Sequence, residues 1–577
     1  MNKYAIYHQL EAPYVYGIDE DTLVIRLRTA KGDLRRCRIY YKDRYDWEKP
    51  YDVKAMNIAD TSDLFDYYEA KITIKEKRFR YIFELEDNLG DTLFLNERGL
   101  VKELAEPVEQ NGFQFPYLNS ADLYESPTWM KEGIVYQIMP DRFCNGDKSN
   151  DPKDVMPWGA EVTQKSMFGG DLQGIIDKLD YLKELGVNII YLTPVFESST
   201  NHKYNTKDYY AIDKTFGDVN KAKELVEKCH EKGMKILFDA VFNHSGDDFF
   251  AFEDVVQKGE KSKYKDWFFV ESFPVDKKKV NYATFANDVV TMPKLNSANI
   301  EVKSYLLEVA KYWIKDVGID GWRLDVCDEV DHVFWRDFRK AIKSVKSDAV
   351  AVGEIMHESL AWLKGDQLDS IMNYPVKNLC VDFFAKRIIS LEEFDNGLAV
   401  NRNLYMDSIN RSLFNLVGSH DTSRFLTEAG EQVERLKLAA AFQFTYIGVP
   451  YIYYGDEIGL TGGHDPQCRK CMIWEEDKQN RELLEFFKKL TAIRKEEKTL
   501  TYGDFKTLFS ENQVYSYLRS FNGEEIIVVL NNSDENKIVQ IDRLSGIYLE
   551  LMKNKEENID KQVLLLPNEV KIFKNIR

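Results

Sequence analysis

The sequence predicts an α/β protein built on a (β/α)8 TIM barrel. An N-terminal β-sandwich of immunoglobulin-like kind precedes the barrel, a small domain is inserted after the third barrel strand, and an all-β domain closes the chain. Two observations carry this reading. Between residues 131 and 500, eight apolar strand-like runs alternate with segments of helical periodicity, while the residues on either side show only strand-like runs. A chain of 577 residues is also too long for one core, and its 44% hydrophobic and 13% aromatic content suits folded structure.

The elements follow in order. Residues 1–122 contain DTLVIRLRTA, RCRIYYKDR, YYEAKITI, RYIFELED and DTLFLNE, mostly alternating runs divided by the turn signals KGD and DNLGD. An antiparallel sandwich is expected there. The barrel, 131–500, is read from GIVYQIMP, NIIYLTPV, KILFDAVF, WRLDV, VAVGEI, SIMNYPV, LFNLVGSH and VPYIYYGDE. Helical segments such as LQGIIDKLDYLKELGV and EVKSYLLEVAKYWIKDVG separate them. The interval at about 243–298 is too long for a loop and carries the aromatic stretches DWFFVESF and NYATF, so it forms the inserted domain. Residues 501–577 include VYSYLRSFNGEEIIVVLNN, a hairpin turning at Asn522-Gly523.

A formal charge of -18 leaves no basic excess to neutralise phosphates, which argues against nucleic acid or an anionic membrane as partner. A neutral ligand is favoured, with carbohydrate the natural class for so many aromatics. No stretch of about 18 apolar residues occurs. The N-terminal MNKYAIYHQLEAPYVYG lacks the pattern of a secretory signal. A cytoplasmic protein is expected, with its seven scattered cysteines reduced. Cys468 and Cys471 form a CxxC without a second pair or a thioredoxin-like setting, and are read as thiols.

In a barrel of this type the chemistry sits at the C-terminal ends of the strands. Asp239, Asn243 and His244 end the third, Arg323 and Asp325 the fourth, Glu354 the fifth, and His420 and Asp421 the seventh. Cleaving a glycosidic bond takes a proton for the leaving oxygen and a negative group to meet the oxocarbenium ion, the work of two carboxyls in different protonation states. Arg323 and Asp325 share a strand face, so the guanidinium is expected to keep that carboxylate ionised as a nucleophile. Glu354 is then the general acid, its proton retained by nearby negative charge. Asp421 grips sugar hydroxyls and favours the distorted ring, with His244 and His420 as neutral hydrogen-bond partners.

The stretches DAVFNH (239–244), GWRLDVCDEV (321–330), GEIMH (353–357) and VGSHD (417–421), in this order, resemble the α-amylase superfamily of glycoside hydrolases. The resemblance implies a retaining enzyme for α-linked glucosides, with Asp325 nucleophile, Glu354 acid/base and Asp421 stabiliser. MPKLN (292–296), the N-terminal β-domain and GGHDPQCRKCMIW (462–474) are similar to the cyclomaltodextrinase, neopullulanase and maltogenic amylase group. That likeness implies cyclodextrins, short maltodextrins and, variably, pullulan and starch as substrates, maltose and glucose as products, and some transglycosylation. It also implies a homodimer through the N-terminal domain, with Tyr45 and Trp47 as candidates for reaching the partner's cleft. By local match His202 and Tyr204 lie beside the cleavage subsite, Phe285 on the acceptor side, and Asp465 and Arg469 at the non-reducing end.

Three positions depart from the group: Met356 where Trp is usual, Asn205 for Asp, and Asp328 for Asn. They bear on specificity and spare the three carboxylates. In DRFCNGDKSNDP, the oxygen side chains of Asn145, Asp147, Asn150 and Asp151 are spaced either to wrap a hard cation or to make a polar turn. The resemblance adds Gly169 and Asp171 and implies a structural Ca2+. Two alternatives stay open: an exo-α-glucosidase, glucosyltransferase or isomerase on the same barrel, and a carbohydrate-binding relative without catalysis.

Overall fold

The structure is a computed structural model that describes residues 1–46, 48–103 and 111–576, so Trp47 lies outside the described residues. The chain divides into two compact units. The first comprises 1–126 together with 363–365 and 392–410. Among its described residues nine strands pair antiparallel around a core that includes Leu23, Ile25, Leu27, Ile39, Phe83 and Leu85. Strand Phe79–Asp87 is buried at every position rather than alternating. Its residues that point away from this core meet ion-pair partners, as Glu84 meets Arg38, and on the more distant strand Thr22–Ala30 Arg26 bonds Glu69 at 2.9 Å and Asp407 at 2.6 Å. Segment 392–410 is held to this unit also by Arg402, 2.9 Å from Asp60. Tyr45 is 60% exposed.

The second unit holds the barrel. Its strands are β1 (Val135–Ile138), β2 (Ile189–Leu192), β3 (Lys235–Ala240), β4 (Gly321–Leu324), β5 (Val350–Gly353), β6 (Ser370–Ile371), β7 (Phe414–Asn415) and β8 (Val449–Tyr453). All neighbours pair in parallel in the order β6-β5-β4-β3-β2-β1-β8-β7, and a parallel bridge from Met372 to Phe414 closes the ring. Four of the longer helices start where Asp or Asn accepts an orphan N–H: Asp218 caps Val219–Glu231, Asn299 caps Ile300–Tyr312, Asp331 caps His332–Val345 and Asn480 caps Arg481–Glu496. Gly321 opens β4 because any Cβ there would lie 2.4 Å from the Val350 carbonyl oxygen.

Residues 243–298 form a small subdomain of short helices and isolated bridges, among them His244 with Lys294 and Thr284 with Pro293. The chain closes in a six-stranded antiparallel sheet whose hairpin turns at Asn522 and Gly523, both at positive φ as a tight turn there requires.

At the N-terminal end of β4, Asp320 is fully buried among His230 (2.8 Å), Lys235 (3.0 Å), Lys346 (2.6 Å) and the Ile236 N–H (2.9 Å). Burial alone would raise its carboxyl, but these partners outweigh it and hold the group down at about 2. The unfolded carboxyl titrates near its ordinary value of about 3.9. The stabilisation is therefore complete above about pH 4 and lost as pH falls through about 2. Asp320→Asn should cost about 3 kcal/mol at pH 7, and denaturant melts should show the gap to the parent narrowing at pH 3.

Candidate active site

Parallel register sets the first contact of the site. Asp239 on β3 is the direct partner of Arg323 on β4, and Arg323 Nη1 lies 2.9 Å from both Asp239 oxygens. Asp325 follows one residue past the end of β4, its N–H bonded to the Ala240 carbonyl, and its Oδ1 is 3.0 Å from the same Nη1. Glu354 follows β5 directly, and its Oε1 is 2.5 Å from Arg323 Nη2. One guanidinium therefore serves three carboxylates rather than Asp325 alone. Tyr191 on β2 and Tyr204 each donate a hydroxyl to Asp239, at 2.7 and 3.1 Å.

Val326, next to Asp325, is held at φ 43°, ψ 44°, a left-handed conformation costly for a β-branched residue. It directs its N–H to Glu354 Oε2 at 3.1 Å. Asp325 Oδ2 is buried with no donor of its own and is left for a reacting group. On the opposite wall Asp421 accepts from Arg469 Nη2 at 3.0 Å and lies 3.1 Å from His420 Nε2. Arg469 also donates Nε–H to the His420 carbonyl at 2.8 Å and pairs with Asp465 at 3.2 Å. The Tyr204 ring stacks on His420 at 5.6 Å and 8°, and His202 lies 5.9 Å beyond it. His244 packs against Phe285 at 5.1 Å, with its Nε2 buried and unbonded.

Burial raises the carboxyls of Asp325 and Glu354 together, against the pull of Arg323 on both, and Glu354 is pushed up to about 7. The first cause for Glu354 is desolvation, and the nearby negative charge expected from the sequence, that of Asp421 and Asp239, adds to it. Asp421 behaves oppositely: burial would raise it, but His420, Arg469 and Arg323 together hold it low. Burial takes His202 down to about 4 and His244 and His420 to about 3, so all three rings are neutral at pH 7. The site thus pairs an ionised Asp421 with a proton kept within the Asp325–Glu354 pair.

The cavity above these groups has a volume of about 500 Å³ and takes in His202, Tyr204, His244, Phe285, Asp325, Glu354, Asp421, Asp465 and Arg469. Asp239, Arg323 and His420 lie beneath them, almost fully buried. Of the departing positions, Met356 and Asp328 line the cavity, Asp328 paired with His357 at 3.0 Å. Asn205 does not: it is buried in its own loop, bonding Ser198 and Ser199 at 2.7 Å each. Sequence reasoning missed Gln164, Met292, Val326 and Glu329 on the walls and Tyr191 and Gln137 below. Tyr191 and Gln137 are polar interruptions of apolar strand runs, the same signal that exposes Arg323, whereas Gln164 sits in a loop with no pattern.

The residues read as a cation loop lie apart from this cavity. Among the described residues, no group of three or more His, Cys, Asp or Glu is arranged for a metal. Asp171 accepts the N–H groups of Gly146, Asp147 and Gly174 and the Asn150 amide, and Asp147 accepts from Ser149. Asn145 donates to Asp151 at 2.7 Å. Two amide oxygens, of Asn145 and Asn150, are nonetheless buried without a donor. Gly169, at φ 76°, leaves open a place where a Cβ would meet Asp151 and Asn145. All seven cysteines are free, and Cys468 and Cys471 are buried.

A closed parallel barrel with carboxyls of opposed protonation at its C-terminal mouth, backed by one guanidinium, is the apparatus of a glycoside hydrolase. Residues 137–503 match the alpha amylase catalytic domain, 1–119 the alpha amylase N-terminal ig-like domain and 503–562 the alpha-amylase C-terminal domain. The chain belongs to the alpha-amylase family. It is 51% identical to a cyclomaltodextrinase of Thermoanaerobacter pseudethanolicus over 100% of both chains, and 47% identical to neopullulanase 2 of Thermoactinomyces vulgaris over 93% of this chain and 92% of that one. A solved cyclomaltodextrinase structure superposes with a TM-score of 0.96 at 41% identity, covering 100% of each chain.

Proposed function

We propose that this enzyme hydrolyses α-1,4 bonds of cyclodextrins and short maltodextrins, and variably of pullulan and starch, to maltose and glucose with retention of configuration. The observation that carries the reading is the Arg323 cluster: an unbonded Asp325 oxygen beside a Glu354 carboxyl held near neutral pKa. In the first step Asp325 Oδ2 attacks the anomeric carbon as the glycosidic C–O bond breaks, and Glu354 gives its proton to the leaving oxygen. In the second, Glu354 takes a proton from water, which displaces Asp325 from the glycosyl-enzyme. A sugar hydroxyl replacing that water gives transglycosylation. Asp421, held ionised, accepts hydroxyl hydrogen bonds that strengthen as the ring distorts. His202, Tyr204, His244 and Phe285 form the walls, and Asp465 with Arg469 closes the non-reducing end.

The loop of Asn145, Asp147, Asn150, Asp151, Gly169 and Asp171 fits a structural Ca2+, because a cation would satisfy the two orphaned amide oxygens. It would supply loop stability and no chemistry. The reading also includes a homodimer through the N-terminal domain, supported by the exposure of Tyr45, and a cytoplasmic setting, supported by the free cysteines. Among the described residues no helix is long and apolar enough to cross a membrane.

A product time course on β-cyclodextrin beside starch and pullulan tests the substrate. Rapid ring opening to maltose and glucose is expected, and faster attack on starch with little on the ring would point to an open-cleft amylase. Asp325→Asn should lower kcat by at least about 1,000-fold with the fold intact; activity within tenfold of the parent would remove the nucleophile assignment. Because Glu354 must carry its proton, kcat/KM should fall as pH rises through about 7. Calcium and dimer are checked together by melting with and without chelator and by light scattering: an unchanged Tm counts against the ion, and a fully active monomer against the dimer.

A further inference from the structure

A second cavity, of about 430 Å³, opens on the barrel unit beside the catalytic one. Three of its lining residues are aromatic. Phe250 is 45% exposed, an unusual state for a phenylalanine, and its ring sits 6.0 Å from that of Tyr305, which lies 5.8 Å from Tyr210. Phe250 also meets Tyr264 edge to face, with ring centroids 5.3 Å apart. The rest of the lining is charged: the carboxylates of Glu197, Asp208, Asp248 and Glu253, and the ammonium of Lys207.

We propose that this cavity is a non-catalytic binding site for an α-glucan segment, with a pyranose ring laid on Phe250 and its hydroxyls shared between the carboxylates and Lys207. A sugar ring has an apolar face that is drawn onto an exposed aromatic and an edge of hydroxyls that need both acceptors and donors. The cavity offers all three. An organic cation is the competing ligand for aromatic rings among carboxylates, but two of the four carboxylates are already engaged, and Asp248 Oδ1, which has no donor, can accept a sugar hydroxyl. Glu197 pairs with Lys207 at 3.2 Å, Asp208 accepts the Tyr210 N–H at 2.8 Å, and the Lys207 ammonium in the lining repels a second cation. The choice of glucan rests on the substrate reading above.

The two cavities share two chain segments. The hairpin of Phe196–Ser198 and Thr206–Ile212 carries His202 and Tyr204 at its catalytic end and Asp208 and Tyr210 at the other. His244 faces the catalytic cavity, and Asp248, four residues on, faces the second. A glucan held at Phe250 therefore lies against the same backbone that positions the catalytic walls.

The test is equilibrium dialysis of radiolabelled maltotriose against full-length Asp325→Asn and against the same chain carrying Phe250→Ala. The first should bind one more maltotriose per chain than the second. Equal numbers overturn the proposal, as does a Phe250-dependent site that takes choline and not maltotriose. Phe250→Ala in the active enzyme should hydrolyse maltotriose within about twofold of the parent, which shows the variant folded. If the parent itself fails on α-glucans, the function proposed above falls instead. Should Phe250→Ala not fold, Glu253→Ala, at an exposed position, reports on the same site by the same loss.

Discussion

The catalytic mouth of the barrel depends on one buried guanidinium. Arg323 is 1% exposed, and without it Asp239, Asp325 and Glu354 would be three carboxylates crowded out of water, an arrangement whose repulsion and desolvation would open the mouth of the barrel. Parallel register makes the arrangement possible. It sets Asp239 directly beside Arg323 and brings the residues just past β4 and β5 to the same height. Such a cluster contributes little net stability, since hydrophobic residues of equal volume would pack as well. Its presence is explained by chemistry and tolerated because the barrel around it is stable.

The single positive charge is outnumbered, and that imbalance produces the division of labour. Asp421 has its own partners in Arg469 and His420 and stays ionised. Asp325 and Glu354 share what remains of Arg323 and keep a proton between them. Neighbouring histidines, neutral through burial, add hydrogen-bonding capacity without further charge. The strained Val326 is the local counterpart: a backbone conformation costing about 1–3 kcal/mol persists because it carries an N–H to Glu354.

Much of this was legible in the chain itself. Strand-like runs ending in acid, histidine or arginine are conspicuous because apolar strands rarely carry charge. The eight-fold alternation with helices needs only periodicity to be seen, and Asn522-Gly523 announces its turn because few other residues accept positive φ there. These are local signals, written in neighbours along the sequence. Composition and pattern therefore determined the barrel, its flanking β-domains and the residues that end its strands.

Tertiary structure alone decided how those residues are shared. That Arg323 serves three carboxylates follows from inter-strand register, which no single strand encodes. That Glu354 keeps its proton chiefly through burial depends on what covers it. Gln164 reaches the wall from a loop without pattern, Asn205 turns away from the cavity into its own hairpin, and segment 392–410 joins the N-terminal unit through Arg26 and Arg402. Each is a contact between residues remote in sequence, and electrostatics and packing at such contacts are set by distance in space.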